Sequence, residues 1–419
     1  MLDTQATIPW GFHALNKIAE YLRLKKLSFA LLDEEVLCNE ATKSTGLTDF
    51  GDHHYREGLS KLIESAKKDA NLHFIGQCVL HDVITTFLSN RLLLAEVRKQ
   101  SPEIFQKPII PPIIILGMPR TGTTFLHRML AVDPANRGIP FWELMRPISL
   151  HRIFDPRRQL SKIESFFHSK IIPKFDRIHF LRADKFEECI ILFGTTFVSD
   201  FFWICAPIYG YKEWIMSHNK LKAYQEYYSL LQILQGVSPT RRLTLKAPPH
   251  TASLDQLMKV IPGALIIQNH RHPVPVCNSI NSLICEQHNM TTKNHDRSRL
   301  AKINIDYYEN AVASSIKWRD TNPNTIYDVY YDQLISDPIS TVKGIYRHFK
   351  LDWSNDYEQQ LKTFIRNNPK GKYGNHQYNS SDFGINDDVI SKRFDAYIKR
   401  FGINNQNRLP SKPCKNQLL

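Results

Sequence analysis

Ile109-Ile-Pro-Pro-Ile-Ile-Ile-Leu-Gly-Met-Pro-Arg-Thr-Gly-Thr-Thr124 is the stretch whose reading decides the fold. The apolar, β-branched run up to Leu116 predicts a short buried strand. Residues 117–123 follow as a loop, and residues 124–132 as a helix with Phe125, Met129 and Val132 inward. A strand, a glycine loop and a helix start make an anion site, because loop N–H groups and the positive helix end point at the ligand. Gly117 and Gly122 permit close backbone approach. Thr121, Thr123 and Thr124 can donate hydroxyl hydrogen bonds to phosphate oxygens.

Outward from this loop the same alternation recurs. Residues 243–245 read as a second strand, followed by Lys246-Ala-Pro-Pro-His250 and a helix over 252–260. Residues 264–268 read as a third strand, followed by Asn269-His-Arg-His-Pro273 and a helix through residue 283. A fourth strand is expected over 325–330. Strands alternating with helices imply an α/β fold, a three-layer, P-loop-like parallel sheet flanked by helices. Residues 1–105 carry helical spacings, such as Leu15, Ile18 and Leu22, then Leu59, Leu62 and Ile63, then Val79, Val83 and Phe87. They form an N-terminal helical region broken by a turn at 48–52. His53 and His54, beside that turn, read as surface or capping residues. The α/β domain is expected over 106–402, with a helical, aromatic-rich insert at about 150–240. That insert holds Phe166, Phe167, Phe197, Phe201, Phe202, Trp203 and Tyr209. Residues 403–419 read as a flexible tail.

The 419 residues carry a net charge of +13 and are 42% hydrophobic, which suits a soluble globular protein with a basic surface. Such a surface fits nucleic acid, anionic lipid or a polyanionic small ligand. No basic helix or aromatic-basic module supports nucleic acid. Seven cysteines, with no pair at metal-ligand spacing, argue against a disulfide framework and for a reducing, cytoplasmic setting. No metal site is expected. The apolar stretches 108–118 and 195–211 do not read as membrane helices, the first being too short and the second carrying Asp200, Pro207 and Gly210. A peripheral membrane contact stays open, as does the oligomeric state.

Against the phosphate-loop pattern GxxxxGK[ST], this loop has Thr123 in place of lysine, and its cation is Arg120. The strands at 243–245 and 265–267 end without the carboxylate that helps an NTPase hold magnesium. That disfavours a nucleotide kinase or NTPase and suits a donor whose transferred group is not phosphoryl.

Pro119-Arg-Thr-Gly-Thr-Thr124 resembles the 5′-phosphosulfate loop of the PAPS-dependent sulfotransferases, in the branch with arginine where cytosolic members have lysine. Arg271-His-Pro273 with Ser279 resembles the 3′-phosphate segment of that family, and Leu245-Lys-Ala-Pro-Pro-His250 its central active-site segment. Thr45-Gly-Leu-Thr-Asp-Phe-Gly51, Tyr330-Tyr-Asp-Gln-Leu-Ile-Ser-Asp-Pro338 and Asn375-His-Gln-Tyr-Asn-Ser-Ser-Asp-Phe-Gly384 resemble outer segments of one soluble branch. The resemblance implies transfer of a sulfuryl group from PAPS to a hydroxyl of a small molecule or lipid. A non-catalytic PAP(S)-binding protein is the third reading.

Sulfuryl transfer is an in-line displacement, so positioned cations and a base are needed. Arg120 suits the leaving 5′-phosphate, since its fork binds phosphate bidentately. Lys246, at a strand end where ligands of open α/β sheets gather, neutralises the sulfuryl oxygens by resemblance. Thr121, Gly122, Thr123 and Thr124 cradle the 5′ side, and Arg271 with Ser279 the 3′-phosphate. His250, in the central segment, and Glu143, in Pro140-Phe-Trp-Glu143, are the two candidates for the base, with His250 slightly favoured. His376, Lys370 and Lys372 stand as solvated loop charges that could close over the nucleotide.

Overall fold

The structure is a computed structural model and describes residues 16–17, 30–149, 155–172, 181–292, 294–368 and 380–403. Leu15, Ile18, Leu22, Lys370, Lys372, His376 and all but the first residue of the 403–419 tail lie outside the described residues. The first elements bounded within the described residues are α1 (Glu34–Thr45), α2 (Tyr55–Lys68) and α3 (Phe74–Gln100). It continues through β1 (Ile113–Gly117), α4 (Thr123–Ala131), β2 (Asn136–Gly138), α5 (Phe141–Met145) and α6 (Arg157–Ile171). A 3₁₀ segment over Cys189–Thr196 precedes α7 (Asp200–Cys205), α8 (Tyr209–Ser217) and α9 (Leu221–Val237). After β3 (Arg242–Lys246), a 3₁₀ turn over Pro248–Ser253 leads into α10 (Leu254–Val260). The remainder is β4 (Leu265–His270), α11 (Pro273–Thr291), α12 (Arg297–Thr321), β5 (Ile326–Tyr330), α13 (Tyr331–Ser336) and further helices to Arg400.

The strands form one parallel sheet in the order β2-β3-β1-β4-β5. Its centre is β1, whose five residues are all buried, as expected for a strand covered on both faces. Ile114 and Leu116 feed one core, shared with Leu37, Leu59 and Phe87 of the N-terminal helices. Ile113 and Ile115 feed the other, with Leu126, Met129 and Leu130 of α4. The period of two along β1 thus decides which layer each isoleucine joins. On α4 the inward residues are Leu126, Met129 and Leu130, whereas Phe125 and Val132 are only half-buried at its edge.

The turn at 48–52 separates α1 from α2, and His53 is exposed there. His54 is not a plain surface residue. Its Nε2 lies 2.9 Å from Oε2 of Glu226, which is buried and also accepts from Arg91 at 2.7 Å. Arg91 belongs to α3, which among the described residues is the helix long and apolar enough to cross a bilayer. Here α3 is a core helix: Ile84, Phe87, Leu88 and Leu92 are fully buried against the rest of the protein. The six described cysteines are free thiols. Burial pushes Cys189, Cys205 and Cys277 up to about 12, so they act as small apolar side chains.

Candidate active site

The carboxyl ends of β1, β3 and β4 meet side by side. Ile115 pairs with Lys246 across one flank of β1, and Gly117 with Asn269 across the other. Open α/β sheets bind ligands at this edge. The loop leaving β1 is tied down from three directions. Thr251 Oγ1 accepts from the Gly117 N–H at 2.9 Å, Thr121 Oγ1 donates to Met118 O at 2.7 Å, and Asn269 Nδ2 donates to Thr121 O at 3.1 Å.

Backbone torsion shows why this loop needs its glycines. Gly122 caps α4 at φ 88°, and no side chain caps that helix, which leaves its first N–H groups facing the loop. Gly117 sits at φ 120°, and a Cβ there would lie 2.4 Å from the Asn269 carbonyl oxygen. Gly117→Ala should therefore lower unfolding free energy in urea by about 2–4 kcal/mol, from strain plus a backbone clash. An unchanged urea midpoint would show that the loop can shift away from β4.

Arg120 is the loop's one non-glycine residue at positive φ, 64°. Such backbone strain gathers at ligand clamps and persists only where neighbours hold it. Two neighbours hold it here. Arg271 Nη1 donates to the Arg120 carbonyl at 2.9 Å, and Arg120 Nε donates to Ser279 Oγ at 3.1 Å. Arg271 also lies over the Tyr331 ring at 4.0 Å. Burial, with Arg120 close by, holds the Arg271 guanidinium below its usual pKa. Its Nε is buried without a hydrogen-bond partner among the described residues. Two arginines crowded at a helix start, with an unsatisfied buried donor, are arranged for a polyanion. The structure thus brings Arg120, Gly122, Thr123, Thr124, Arg271 and Ser279 into one cradle around a helix start. The Thr121 hydroxyl, expected to donate to phosphate, is instead fully buried and spent on Met118 O, so that residue shapes the loop.

Lys246 stands one strand over. It is 1% exposed, and its Nζ donates to Glu188 Oε1 at 2.6 Å. Glu188 keeps a quarter of its side chain open. It ends the segment that leads into the 3₁₀ turn at Cys189, and was not among the residues singled out in the sequence. The only cue there was Glu187-Glu-Cys189 ahead of an apolar run. Its partner is 58 residues away, so the pairing is tertiary.

The two expected bases point elsewhere. His250 is 1% exposed, with Nδ1 at 2.8 Å from Tyr224 OH and Nε2 at 3.5 Å from Cys189 Sγ. Phe193, Tyr224 and Tyr227 surround its ring. Burial, with Lys220 nearby, pushes His250 down to about 3. Glu143 is 2% exposed and takes both its hydrogen bonds, at 2.6 Å, from Arg137 Nη2. Arg137 in turn donates to Leu234 O at 3.0 Å. One residue is a core histidine and the other half of a buried ion pair. Neither touches the Lys246 ammonium.

β3 ends in Lys246 and β4 in Asn269 and His270, so neither strand end offers the carboxylate of a phosphoryl-transfer site. A family model described as the sulfotransferase family matches residues 111–355, more than half of the chain, including every cradle residue and Lys246. The chain belongs to the sulfotransferase family. Curated relatives include an omega-hydroxy-beta-dihydromenaquinone-9 sulfotransferase of Mycobacterium bovis and its counterpart in Mycobacterium tuberculosis. Each is 24% identical over 302 residues, covering 68% of this chain and 75% of the relative. Among solved structures, sulfotransferase STF1 from Mycobacterium tuberculosis H37Rv is 29% identical with a TM-score of 0.76, over 87% of this chain and 98% of that one. Sulfotransferase STF9 from Mycobacterium avium superposes with a TM-score of 0.81 at 23% identity, over 89% of this chain and 98% of that one, and shares the fold. This sulfotransferase is therefore a transferase built on a five-stranded parallel α/β sheet.

Proposed function

We propose that this sulfotransferase moves the sulfuryl group of PAPS to the hydroxyl of a lipid or other small acceptor, with Glu188 as the base. The acceptor oxygen attacks sulfur opposite the bridging oxygen of the 5′-phosphate. A new oxygen–sulfur bond forms and the bridging bond breaks. Its electron pair leaves with PAP, and the hydroxyl proton passes to Glu188. Loop N–H groups and Arg120 take the 5′ side, Arg271 and Ser279 the 3′-phosphate, and Lys246 the sulfuryl oxygens.

The observation that carries this reading is the Lys246–Glu188 pair at the β3 end, one strand from the two-arginine cradle. A cation and a partly open carboxylate in contact, beside an anion site, are the two groups that the displacement needs. The lipid acceptor is supported by the relatives' name, which specifies a hydroxylated menaquinone derivative.

Radiolabelled PAPS, offered with a panel of hydroxylated lipids and phenols, tests the proposal. Wild type should bind PAP and label at least one acceptor. Arg120→Ala should weaken PAP binding by about 10²-fold, the loss expected for a charge-assisted phosphate contact of some 2–3 kcal/mol. A wild-type protein that binds neither PAP nor PAPS would sink the donor assignment. Tight PAP binding with no transfer to any acceptor would favour the non-catalytic reading.

A further inference from the structure

The α6 helix is amphipathic in the inverted sense. Its inward face carries Ser161 and Ser165, both buried, with Glu164 paired to Arg146 and His168 Nε2 at 3.1 Å from Gln287 Oε1. Its outward face carries Leu160, Ile163, Phe166 and Phe167, which are 43%, 54%, 55% and 52% exposed. These positions follow helical spacing, so they form one stripe. Among the described residues they are four of the seven large hydrophobic side chains left exposed. Scattered single exposures need no explanation, whereas a contiguous apolar stripe marks a contact surface.

Charge says which kind. The helix carries Arg157, Arg158, Lys162 and Lys170 against Glu164 alone; Glu164 is turned inward to Arg146, and Arg157 is paired with Asp155 just ahead of the helix. Lys162 and Lys170 flank the stripe in the open, and the Lys170 ammonium lies over the Phe166 ring at 5.4 Å. Arg158 and Lys162 also reach Asp184, which ties the helix to the following segment. An apolar stripe edged by cations on a chain of net charge +13 is the pattern of a helix lying in the interface of an anionic bilayer.

We infer that α6 docks this protein on anionic phospholipid membranes, with Leu160, Ile163, Phe166 and Phe167 inserted at the headgroup boundary. The location serves the proposed reaction. Asp184, which holds α6, is four residues from Glu188, so at most about 14 Å of chain separates them. A lipid acceptor could keep its tail in the bilayer while its hydroxyl reaches Lys246 and Glu188. That benefit rests on the lipid reading above, but the docking does not.

Flotation of the full chain with unilamellar vesicles tests the inference. The wild type should float with vesicles of mixed phosphatidylglycerol and phosphatidylcholine. Phe166→Ser/Phe167→Ser should cut the partition coefficient at least about tenfold, since both rings would leave the interface. Lys162→Glu/Lys170→Glu should weaken binding to the anionic vesicles and leave any binding to pure phosphatidylcholine unchanged. PAP binding and the thermal midpoint of each variant report that the fold survives, and failure of the donor assignment would appear only in PAP binding. The inference is overturned if wild type stays in the soluble fraction, or if the phenylalanine variant floats as wild type does. A wild-type dimer that Phe166→Ser/Phe167→Ser converts to monomer would overturn it too, by assigning the stripe to a second copy.

Discussion

Lys246→Ala is expected to lower kcat by about 10³-fold while PAP binding changes less than about threefold, because its charge acts on the group in flight. The geometry separates the two readouts. The cradle that would hold both phosphates comes from the β1 loop, Arg271 and Ser279, none of which depends on the lysine. Lys246 instead projects from the end of β3 into a buried position against Glu188. There its charge is poorly screened, so stabilisation of spreading negative charge is worth more than in water. Lys246→Arg should rescue little, since a planar fork is larger and shaped differently from the ammonium it replaces. A kcat within tenfold of wild type for Lys246→Ala, in protein that binds PAP normally, would remove the lysine from the reaction and leave it as Glu188's structural counterion.

The sheet was legible in the sequence wherever a β-branched run met a glycine or proline boundary. Ile113–Gly117 and Leu265–His270 meet that condition, and the expected strands overlap them within a few residues. β2 was not foreseen, because Asn136-Arg-Gly138 has no strand propensity. It is a strand by virtue of its pairing with Arg242–Thr244 of β3. The strand–glycine–helix arrangement of the β1 loop was legible because its residues sit at fixed offsets from strand ends. The base was not. A motif fixes which residues are neighbours in sequence, but not the side to which each side chain turns. His250 turns into the aromatic group of Phe193, Tyr224 and Tyr227, and Glu143 into Arg137, while Glu188 comes from a segment with no motif. Helical spacing also fails on α6. Leu160, Ile163, Phe166 and Phe167 have the period of a buried face, yet face outward. Within the aromatic insert, Phe197, Phe202 and Trp203 are core, and Phe166 and Phe167 are not.

Three substitutions separate the candidate bases. Glu188→Gln should reduce kcat by about 10²–10⁴-fold across the whole working pH range, the usual value of a positioned base. Glutamine keeps an oxygen for the Lys246 hydrogen bond, so the loss would reflect proton transfer rather than a displaced lysine. His250→Gln should leave kcat within about threefold of wild type, because the ring is buried among Phe193, Tyr224 and Tyr227 with its nitrogens facing Tyr224 OH and Cys189 Sγ, out of reach of an acceptor hydroxyl. Its effect should fall on stability. The folded state holds His250 neutral down to about pH 3, whereas an unfolded chain protonates it near 6.5. The unfolded state therefore binds more protons between those values, and wild-type stability is lost as pH falls from about 6.5 toward 3. His127 and His288, also pushed to about 3 by burial, act in the same direction. His250→Gln should flatten that acid slope by up to about 1.4 kcal/mol per pH unit, measured by urea unfolding at pH 5 and 7. Glu143→Gln leaves Arg137 buried without its carboxylate and should cost about 3–5 kcal/mol of stability, with kcat of the folded fraction near wild type. Normal turnover in Glu188→Gln, with collapse in either of the others at full fold stability, would return the base to His250 or Glu143.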